Sequence, residues 1–292
     1  MNARNWSLLF LLSLLWGSSF FFYKVLVAAL PPVTVVLGRV GIAAIALNVL
    51  LLARGERLPR GRWKGFLISG VLNNVLSFVL ICWGETRITS GMASILNAIT
   101  PMFVVVIGHY VTHDEKMSWP KIAGVALGIL GTIILVGPQA FHGASAILGE
   151  VAVIVASVFY AMGGLYSRHF RGLPPLAAAA GQLTAATAVL LPLSLAIDRP
   201  WTLPMPDGHI WAALLAIALV NTAMAYLVYF RLLAGAAVTH ASLVTFLIPP
   251  IALLLGAVAL GEAITLQAVS GMAVIAMGLA ALDGRLLKGR RS

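Results

Sequence analysis

The chain contains two copies of one sequence pattern, and this repeat constrains its fold more than any other feature. Leu30-Pro31-Pro32 recurs 143 residues later as Leu173-Pro174-Pro175. The other repeated positions are Gly38 and Gly181, Asn73 and Asn221, Ser94 and Ser242, Pro101 and Pro249, Gly108 and Gly256, Glu115 and Glu262, Gly124 and Gly271, and Gly131 and Gly278. The offset between the copies changes only where loops are predicted. We therefore expect two units, at 1–139 and 140–292.

Each copy contains five long apolar segments. The chain is 61% hydrophobic and 10% charged, with a mean hydropathy of +1.00, and a membrane-spanning helix needs about 20 mostly apolar residues. The ten predicted spans are 6–27, 31–52, 66–85, 90–110, 118–137, 146–167, 174–197, 209–230, 237–259 and 265–286. The apolar runs are long and do not alternate with polar residues, which argues against strands.

An odd number of spans in each copy has a topological consequence. The second copy must enter the membrane from the side opposite to the first. The sequence therefore predicts an all-α integral membrane protein with ten transmembrane helices, arranged as two inverted five-helix repeats. Inverted repeats are typical of transporters that work by alternating access.

The basic residues predict the orientation. Of the 19 lysines and arginines, fifteen lie at or beyond the ends of the spans that share a side with the N-terminus. Only Lys24, Arg87 and Arg199 lie on the other side, and Arg39 lies within the second span. Because basic loops stay in the cytoplasm, both termini are predicted to be cytoplasmic, in a bacterial inner (plasma) membrane. The net charge of +10 is thus explained by topology and the lipid bilayer, and we expect no nucleic-acid partner.

The residues for cofactor or metal chemistry are missing from the sequence pattern. Cys82 is the single cysteine, so no intrachain disulfide is possible. No glycine-rich phosphate loop and no metal-ligand spacing is visible. We expect no cofactor, no metal and no enzymatic activity. A membrane-embedded enzyme or a channel is a less favoured alternative.

Several motifs resemble the EamA domain of the drug/metabolite transporter superfamily. They are Trp16-Gly17-Ser18-Ser19-Phe20 with Lys24, Leu37-Gly38-Arg39, the stretch from Ser90 through Pro101 to Asp114-Glu115-Lys116, and Gly261-Glu262-Ala263 with Gly271 and Gly278 in the second copy. The resemblance covers nearly the whole chain and implies a ten-helix secondary transporter of small metabolites. Within the superfamily the chain is similar to amino-acid exporters, including the YddG-type exporters of aromatic amino acids. The second copy departs from the pattern, with Phe159-Tyr160 in place of Trp16-Gly17 and Gln182 in place of Arg39.

Polar residues near the middle of a span usually face a cavity or a neighbouring helix. Together with nearby aromatic residues they form the predicted substrate-binding set: Trp16, Ser19, Asn73, Ser77, Phe78, Asn97, Tyr160, Asn221, Tyr226 and Thr245. Amides beside rings suit an amphipathic substrate with an apolar side chain. The alternative is structural, because serine and threonine bond their own backbone and asparagine links helices.

The predicted gating residues are Pro101, Pro249, Pro250 and Arg39. Each proline removes a backbone donor, which either provides a hinge, frees carbonyls near residues 97 and 245–246 for a substrate ammonium, or leaves a static kink. Arg39 is either a carboxylate anchor or gate, or a structural residue that extends outward or pairs with Glu85. Glu115 and Glu262, at helix ends, are expected to be gates or helix–loop anchors.

The sequence thus predicts a secondary transporter that exports small amphipathic metabolites, amino acids and aromatic ones among them, through a central cavity between the repeats. The alternative within transport is efflux of lipophilic or cationic drugs. No carboxylate lies in the middle of a predicted span, so the coupling partner, protons or a counter-substrate, stays open, with Lys24 and His240 as candidate coupling groups.

Overall fold

The computed structural model describes residues 3–111, 119–136, 144–170, 172–235 and 244–283, and within these ranges it contains helices and no strand. The helices are α1 (Ala3–Val27), α2 (Pro32–Ala53), α3 (Trp63–Gly84), α4 (Ser90–Asn97), α5 (Thr100–Val111), α6 (Trp119–Val136), α7 (Ala144–Tyr166), α8 (Pro175–Ile197), α9 (208–235), α10 (Val244–Leu260) and α11 (Leu266–Asp283). Single 3₁₀ turns lie at Arg60–Arg62, Ser167–Phe170 and Pro200–Thr202.

The helices have the length and composition of membrane spans. Seven stretches in the described ranges are long and apolar enough to cross a bilayer, with α4 and α5 counted together as Ser90–Val111. Three shorter apolar helices, Trp119–Leu135, Leu247–Leu260 and Leu266–Gly278, accompany them. Large apolar side chains such as Ile45, Ile133 and Val258 are exposed, as expected for a surface that faces lipid. The all-α, multi-pass character predicted from the sequence is confirmed.

The fourth predicted span is interrupted close to Pro101, where the sequence predicts a hinge or a kink. It is divided into α4 and α5 by a turn at Ala98 and Ile99, just before Pro101. Pro101 has no N–H to bond the carbonyl of Asn97, and the Thr100 hydroxyl donates to that oxygen at 2.7 Å instead. By contrast, α10 continues as one helix through Pro249 and Pro250.

Two helices contain a wider π-helical segment in their middle, and the two segments overlap in the sequence repeat. They are Val71–Leu76 in α3 and Ala216–Met224 in α9. At each segment a hydroxyl donates to the carbonyl five residues earlier: Ser77 to Leu72 at 2.7 Å, and Thr222 to Ile217 at 2.8 Å. Such segments occur frequently at functional sites.

The main helix contacts run between the two sequence copies. The second spans of the copies, α2 and α8, pack together, as do their fifth spans, α6 and α11. The first span of one copy packs on the fourth span of the other, since α1 contacts α10 while α7 contacts α4 and α5. Each contact between two spans therefore has a counterpart in which the two copies have exchanged places.

Small residues allow close approach at these contacts. A Cβ atom added at Gly131 would lie 2.9 Å from the carbonyl oxygen of Gly271, and one at Gly278 would lie 2.7 Å from that of Gly124. The two contacts exchange when the sequence copies are exchanged. The α6–α11 interface thus permits no side chain at these positions without moving backbone.

The same correspondence holds where α2 and α8 meet the α9 and α3 helices. A Cβ atom at Gly38 would lie 2.9 Å from Leu214, and one at Gly181 would lie 2.6 Å from the ring of Phe66. Phe66 and Leu214 are 148 residues apart, the offset that relates these spans in the two copies. This contact brings Arg39 and Gln182, the residues after the two glycines, to the centre of the bundle.

Candidate substrate-binding cavity

A cavity of about 870 Å³ lies among the helices of both copies. Of the predicted site residues, those that line it are Trp16, Ser19, Arg39, Asn73, Phe78, Asn97, Pro101, Tyr160 and Tyr226. Ser77, Asn221, Pro249 and Pro250 do not line it, and the side chain of Thr245 lies outside the described residues. Nine of the residues predicted from the sequence thus lie in the wall of this cavity, and their roles differ from one residue to the next.

Aromatic rings form most of the apolar wall. Trp16 of α1 packs against Tyr229 of α9 with ring centroids 5.3 Å apart, and Phe78 of α3 packs edge-on against Tyr160 of α7 at 6.0 Å. Tyr226 adds a further ring from α9, 6.4 Å from Tyr229. These rings come from both copies and enclose a volume suited to a small molecule with an apolar or aromatic side chain.

Arg39 supplies a positive charge in the interior of the bundle. Its side chain is 3% exposed, so the expectation that it extends outward is wrong. Its Nε donates to the hydroxyl of Thr222 on α9 at 2.7 Å, and its Cζ lies 4.0 Å from the centroid of the Phe78 ring. The expected pairing with Glu85 is also wrong, because neither carboxyl oxygen of Glu85 has a hydrogen-bond partner in the described part of the chain. Arg39 thus contacts a hydroxyl and the rings of Phe78 and Tyr23, and no described carboxylate forms an ion pair with it.

Gln182 of α8 lies at the centre of a second polar cluster. Its Nε2 donates to the side-chain oxygen of Asn74 at 2.7 Å and to the hydroxyl of Tyr226 at 3.3 Å, while its Oε1 accepts from the hydroxyl of Ser69 at 2.9 Å. Asn74 in turn donates to Tyr226 at 2.7 Å. Every polar atom of the Gln182 amide is therefore engaged, and the cluster fixes the position of Tyr226 in the wall.

The two repeated asparagines have different surroundings. Asn73 lines the cavity, and its Nδ2 donates to Ser69 at 3.1 Å. Asn221 is 1% exposed, and its Nδ2 donates to the carbonyl of Leu15 and, at 2.7 Å, to the hydroxyl of Ser18. The amide of Asn221 thus links α9 to α1, whereas that of Asn73 faces the space a substrate would occupy.

Two other predicted polar positions are occupied by contacts within the protein. Ser77 donates to backbone carbonyls of Leu72 and Ala156, at 2.7 and 3.1 Å. The carbonyl of Asn97 accepts from Thr100, as described above, so it is already bonded. The amide of Asn97 does line the cavity, and its oxygen lies 3.4 Å from the Ser157 hydroxyl.

The cavity extends toward one end of the bundle. Its lining includes Arg168, Gly172 and Pro174, which belong to the connection between α7 and α8. The predicted topology assigns this connection to the cytoplasmic side. The cavity therefore points toward the cytoplasm in that orientation.

At the opposite end, the connection between α3 and α4 is held from two directions. Lys24 Nζ donates to the carbonyls of Glu85 and Ile88 at 2.7 and 2.8 Å. The carboxylate of Glu262 accepts from the backbone N–H and the hydroxyl of Ser90, at 2.9 and 2.7 Å, at the start of α4. An anion at a helix N-terminus and a cation at a helix C-terminus both stabilise the helix dipole. Glu262 is thus bonded as a helix–loop anchor, while its repeat partner Glu115 lies outside the described residues.

Sequence reasoning missed several lining residues. Tyr229 and Phe230 follow Tyr226 on α9 but were not selected, because aromatic residues near a span end are as often interfacial. Gln182 was noticed only as a departure from the Arg39 pattern. Its repeat position was nevertheless a usable signal, since Arg39 itself was a candidate.

Comparison with known proteins agrees with this architecture. The model of the EamA-like transporter family matches residues 5–137 and 147–282. The uncharacterized transporter YoaV of Bacillus subtilis is 26% identical over 91% of this chain and 92% of its own length. A probable terminal-alkyne amino-acid exporter of Streptantibioticus cattleyicolor is 29% identical over 100% of this chain and 97% of its own. A solved crystal structure covers 99% of both chains with a TM-score of 0.72 at 20% identity, which supports the fold alone. The chain belongs to the EamA-like transporter family.

Proposed function

We propose that the protein exports small amphipathic metabolites, namely amino acids with apolar or aromatic side chains, by alternating access through the central cavity. The family provides the transport function in general terms, and one relative is named as a probable amino-acid exporter. The observation that carries the proposal is Arg39, a buried guanidinium in a ring-lined cavity with no carboxylate partner in the described residues.

Arg39 places a positive charge in the interior of the bundle, a medium of low dielectric. A buried charge without a counter-charge is costly, and a guanidinium binds a carboxylate with a planar pair of donors. A substrate carboxylate at Arg39 supplies the missing counter-charge. The rings of Trp16, Tyr160 and Tyr229 then contact the substrate side chain. The amide oxygens of Asn73 and Asn97 are the acceptors that we assign to its ammonium group.

The proposed architecture is ten spans in two inverted five-helix units, 1–139 and 140–292, in a bacterial inner membrane with both termini in the cytoplasm. Three sets of contacts support it, because each maps onto another when the copies are exchanged. They are Gly131–Gly271 with Gly278–Gly124, Gly38–Leu214 with Gly181–Phe66, and Arg39–Thr222 with Gln182–Asn74. Contacts of this kind are expected when two units face each other across a twofold axis.

We further propose that alternating access uses the fourth span of each unit. In the first unit this span is already divided at Ala98 and Ile99, which makes α4 and α5 separable bodies. In the second unit, Pro249 and Pro250 lie within a continuous helix. We therefore propose that this helix bends at the two prolines in the other access state. Lys24 and Glu262 hold the outer end while the cavity extends toward the cytoplasm. Protons or a counter-substrate are the candidate coupling partners.

The experiment that tests this function is transport by the purified full-length protein in proteoliposomes. Labelled phenylalanine, leucine, glutamate and lysine are compared with a lipophilic cation such as tetraphenylphosphonium. Phenylalanine and leucine are expected to be transported, and Arg39→Gln is expected to reduce their transport while the protein stays folded. Transport of the cation and of no amino acid would support the drug-efflux alternative and overturn the proposal.

A further inference from the structure

Gln182 has a role in the cavity that goes beyond the proposed function and rests on it. Gln182 occupies in the second copy the place that Arg39 has in the first, and each directly follows a repeated glycine. Their contacts correspond in detail. Arg39 bonds Thr222 and lies over Phe78, whereas Gln182 bonds Asn74 and Tyr226.

The contact partners are themselves repeat partners. Thr222 lies 148 residues after Asn74, and Tyr226 lies 148 residues after Phe78. The cavity therefore has two equivalent anchor positions, one on each side of the proposed twofold axis. One position carries a permanent positive charge, and the other carries a neutral amide.

The two side chains also differ in the number of hydrogen-bonding groups that they can offer to a ligand. Arg39 has five N–H donors, more than the Thr222 hydroxyl takes up through Nε, and its guanidinium lies 4.9 and 4.0 Å from the ring centroids of Tyr23 and Phe78. Gln182 is 1% exposed, and its donors and its acceptor are bonded to Asn74, Tyr226 and Ser69. A substrate therefore finds one charged anchor at this level of the cavity, because Gln182 is neutral and its amide is already bonded.

We propose that Gln182 is a specificity-determining residue that limits the substrate to one carboxylate. An arginine at this position would place a second positive charge across the axis and would require a second anionic group. A glutamate, which has nearly the same shape, would instead supply a counter-charge for Arg39 from the protein itself. A fixed charge favours a ligand group of opposite sign and disfavours one of the same sign. Gln182→Glu is therefore expected to shift the preference from carboxylates to amines.

The test uses three ligands that share one ring but differ in charged groups: phenylalanine, 3-phenylpropionate and phenethylamine. Their Kd values are measured by isothermal titration calorimetry on full-length wild-type protein, Gln182→Glu and Gln267→Glu in detergent. Gln267 does not line the central cavity, and it donates to the carbonyl of Leu135 at 2.8 Å, so it receives the same change of charge elsewhere.

In Gln182→Glu, the ratio of the Kd of 3-phenylpropionate to that of phenethylamine is expected to rise about tenfold or more. Gln267→Glu is expected to keep the wild-type ratio. An unchanged ratio in folded Gln182→Glu would overturn the role of Gln182. The proposed function would still stand in that case if the wild type binds phenylalanine and Arg39→Gln binds it more weakly. Failure of the wild type to bind any of the three ligands would overturn both.

A measurement on the wild type alone covers the case in which Gln182→Glu does not fold. Benzylsuccinate carries the same ring with two carboxylates. With one charged anchor at the level of Arg39 and Gln182, the cavity is expected to bind it more weakly than 3-phenylpropionate, because a second carboxylate at this level would be desolvated without a partner. Equal or tighter binding of benzylsuccinate would contradict the assignment of Gln182.

Discussion

Gly38 packs against Leu214 and Gly181 packs against Phe66, and these two contacts in the two halves of the bundle have the same form. The next residue in each half differs completely: Arg39 is charged and bonds one hydroxyl, while Gln182 is neutral and fully bonded. The same helix–helix contact occurs once in each half, so both copies need a small residue at this position. The polar groups in the cavity serve one asymmetric ligand, so they need not match.

The largest expected effect concerns the matched packing of α6 and α11. Gly131→Val and Gly278→Val each force a side chain against backbone atoms of the facing helix, 2.8 and 2.7 Å from a Cβ position. Overpacking of this kind costs about 1–3 kcal/mol or more. We expect the two variants to lower the melting temperature in detergent by similar amounts.

Gly41→Ala serves as the control, because a Cβ there meets Thr187 at an ordinary 3.6 Å. A large decrease in melting temperature for Gly131→Val with no decrease for Gly278→Val would show that the two halves are not packed alike.

Substitution of the two repeated asparagines is expected to have different effects, on stability for Asn221 and on substrate binding for Asn73. Asn221→Ala removes two hydrogen bonds that link α9 to the carbonyl of Leu15 and the hydroxyl of Ser18 on α1, which costs about 0.5–1.5 kcal/mol of folding free energy for each bond. Its ligand affinity is expected to stay near the wild-type value. The thermal unfolding curve and the Kd of phenylalanine, measured on one preparation, check both statements.

Asn73→Ala is expected to show the opposite pattern, because its amide faces the cavity. A lost hydrogen bond to the substrate weakens binding by about 0.5–1.5 kcal/mol. The melting temperature is expected to fall less than in Asn221→Ala, because only one internal bond is lost and Ser69 keeps its bond to Gln182. Equal effects of both variants on affinity would mean that Asn221 also reaches the substrate in another state.

The prolines are expected to give the smallest energetic effect. Pro101→Ala restores a donor where α4 and α5 are divided and is expected to favour a continuous helix, which slows transport. Pro249→Ala with Pro250→Ala changes a helix that is already continuous in this state. Labelling of single cysteines along the cavity in a Cys82→Ser background reports the access state. Shifts of accessibility in the same direction for both variants would argue against opposite gates.

The sequence predicted the helices well because the thickness of a bilayer demands about 20 apolar residues per span. Pro101 indicated a hinge or a kink in the fourth span, but not a division into two helices at Ala98 and Ile99. The π-helical segments around Asn73 and Asn221 were missed, because apolar periodicity does not show where backbone hydrogen bonds change partner. Both asparagines were equally good candidates from their depth. Only their neighbours, Ser69 for one and Leu15 with Ser18 for the other, distinguish them.

The central claim is that the two halves have opposite orientations in the membrane. Gly61 lies just before α3 and Gly208 is the first residue of α9, the corresponding helix of the second copy. Both are exposed, and a Cβ atom at either meets no atom within 4 Å. Gly61→Cys and Gly208→Cys, each in a Cys82→Ser background, are treated with a membrane-impermeant maleimide on intact cells. The account predicts labelling of Gly208→Cys in intact cells and of Gly61→Cys only after permeabilisation. Labelling of both from the same side would contradict the inverted arrangement.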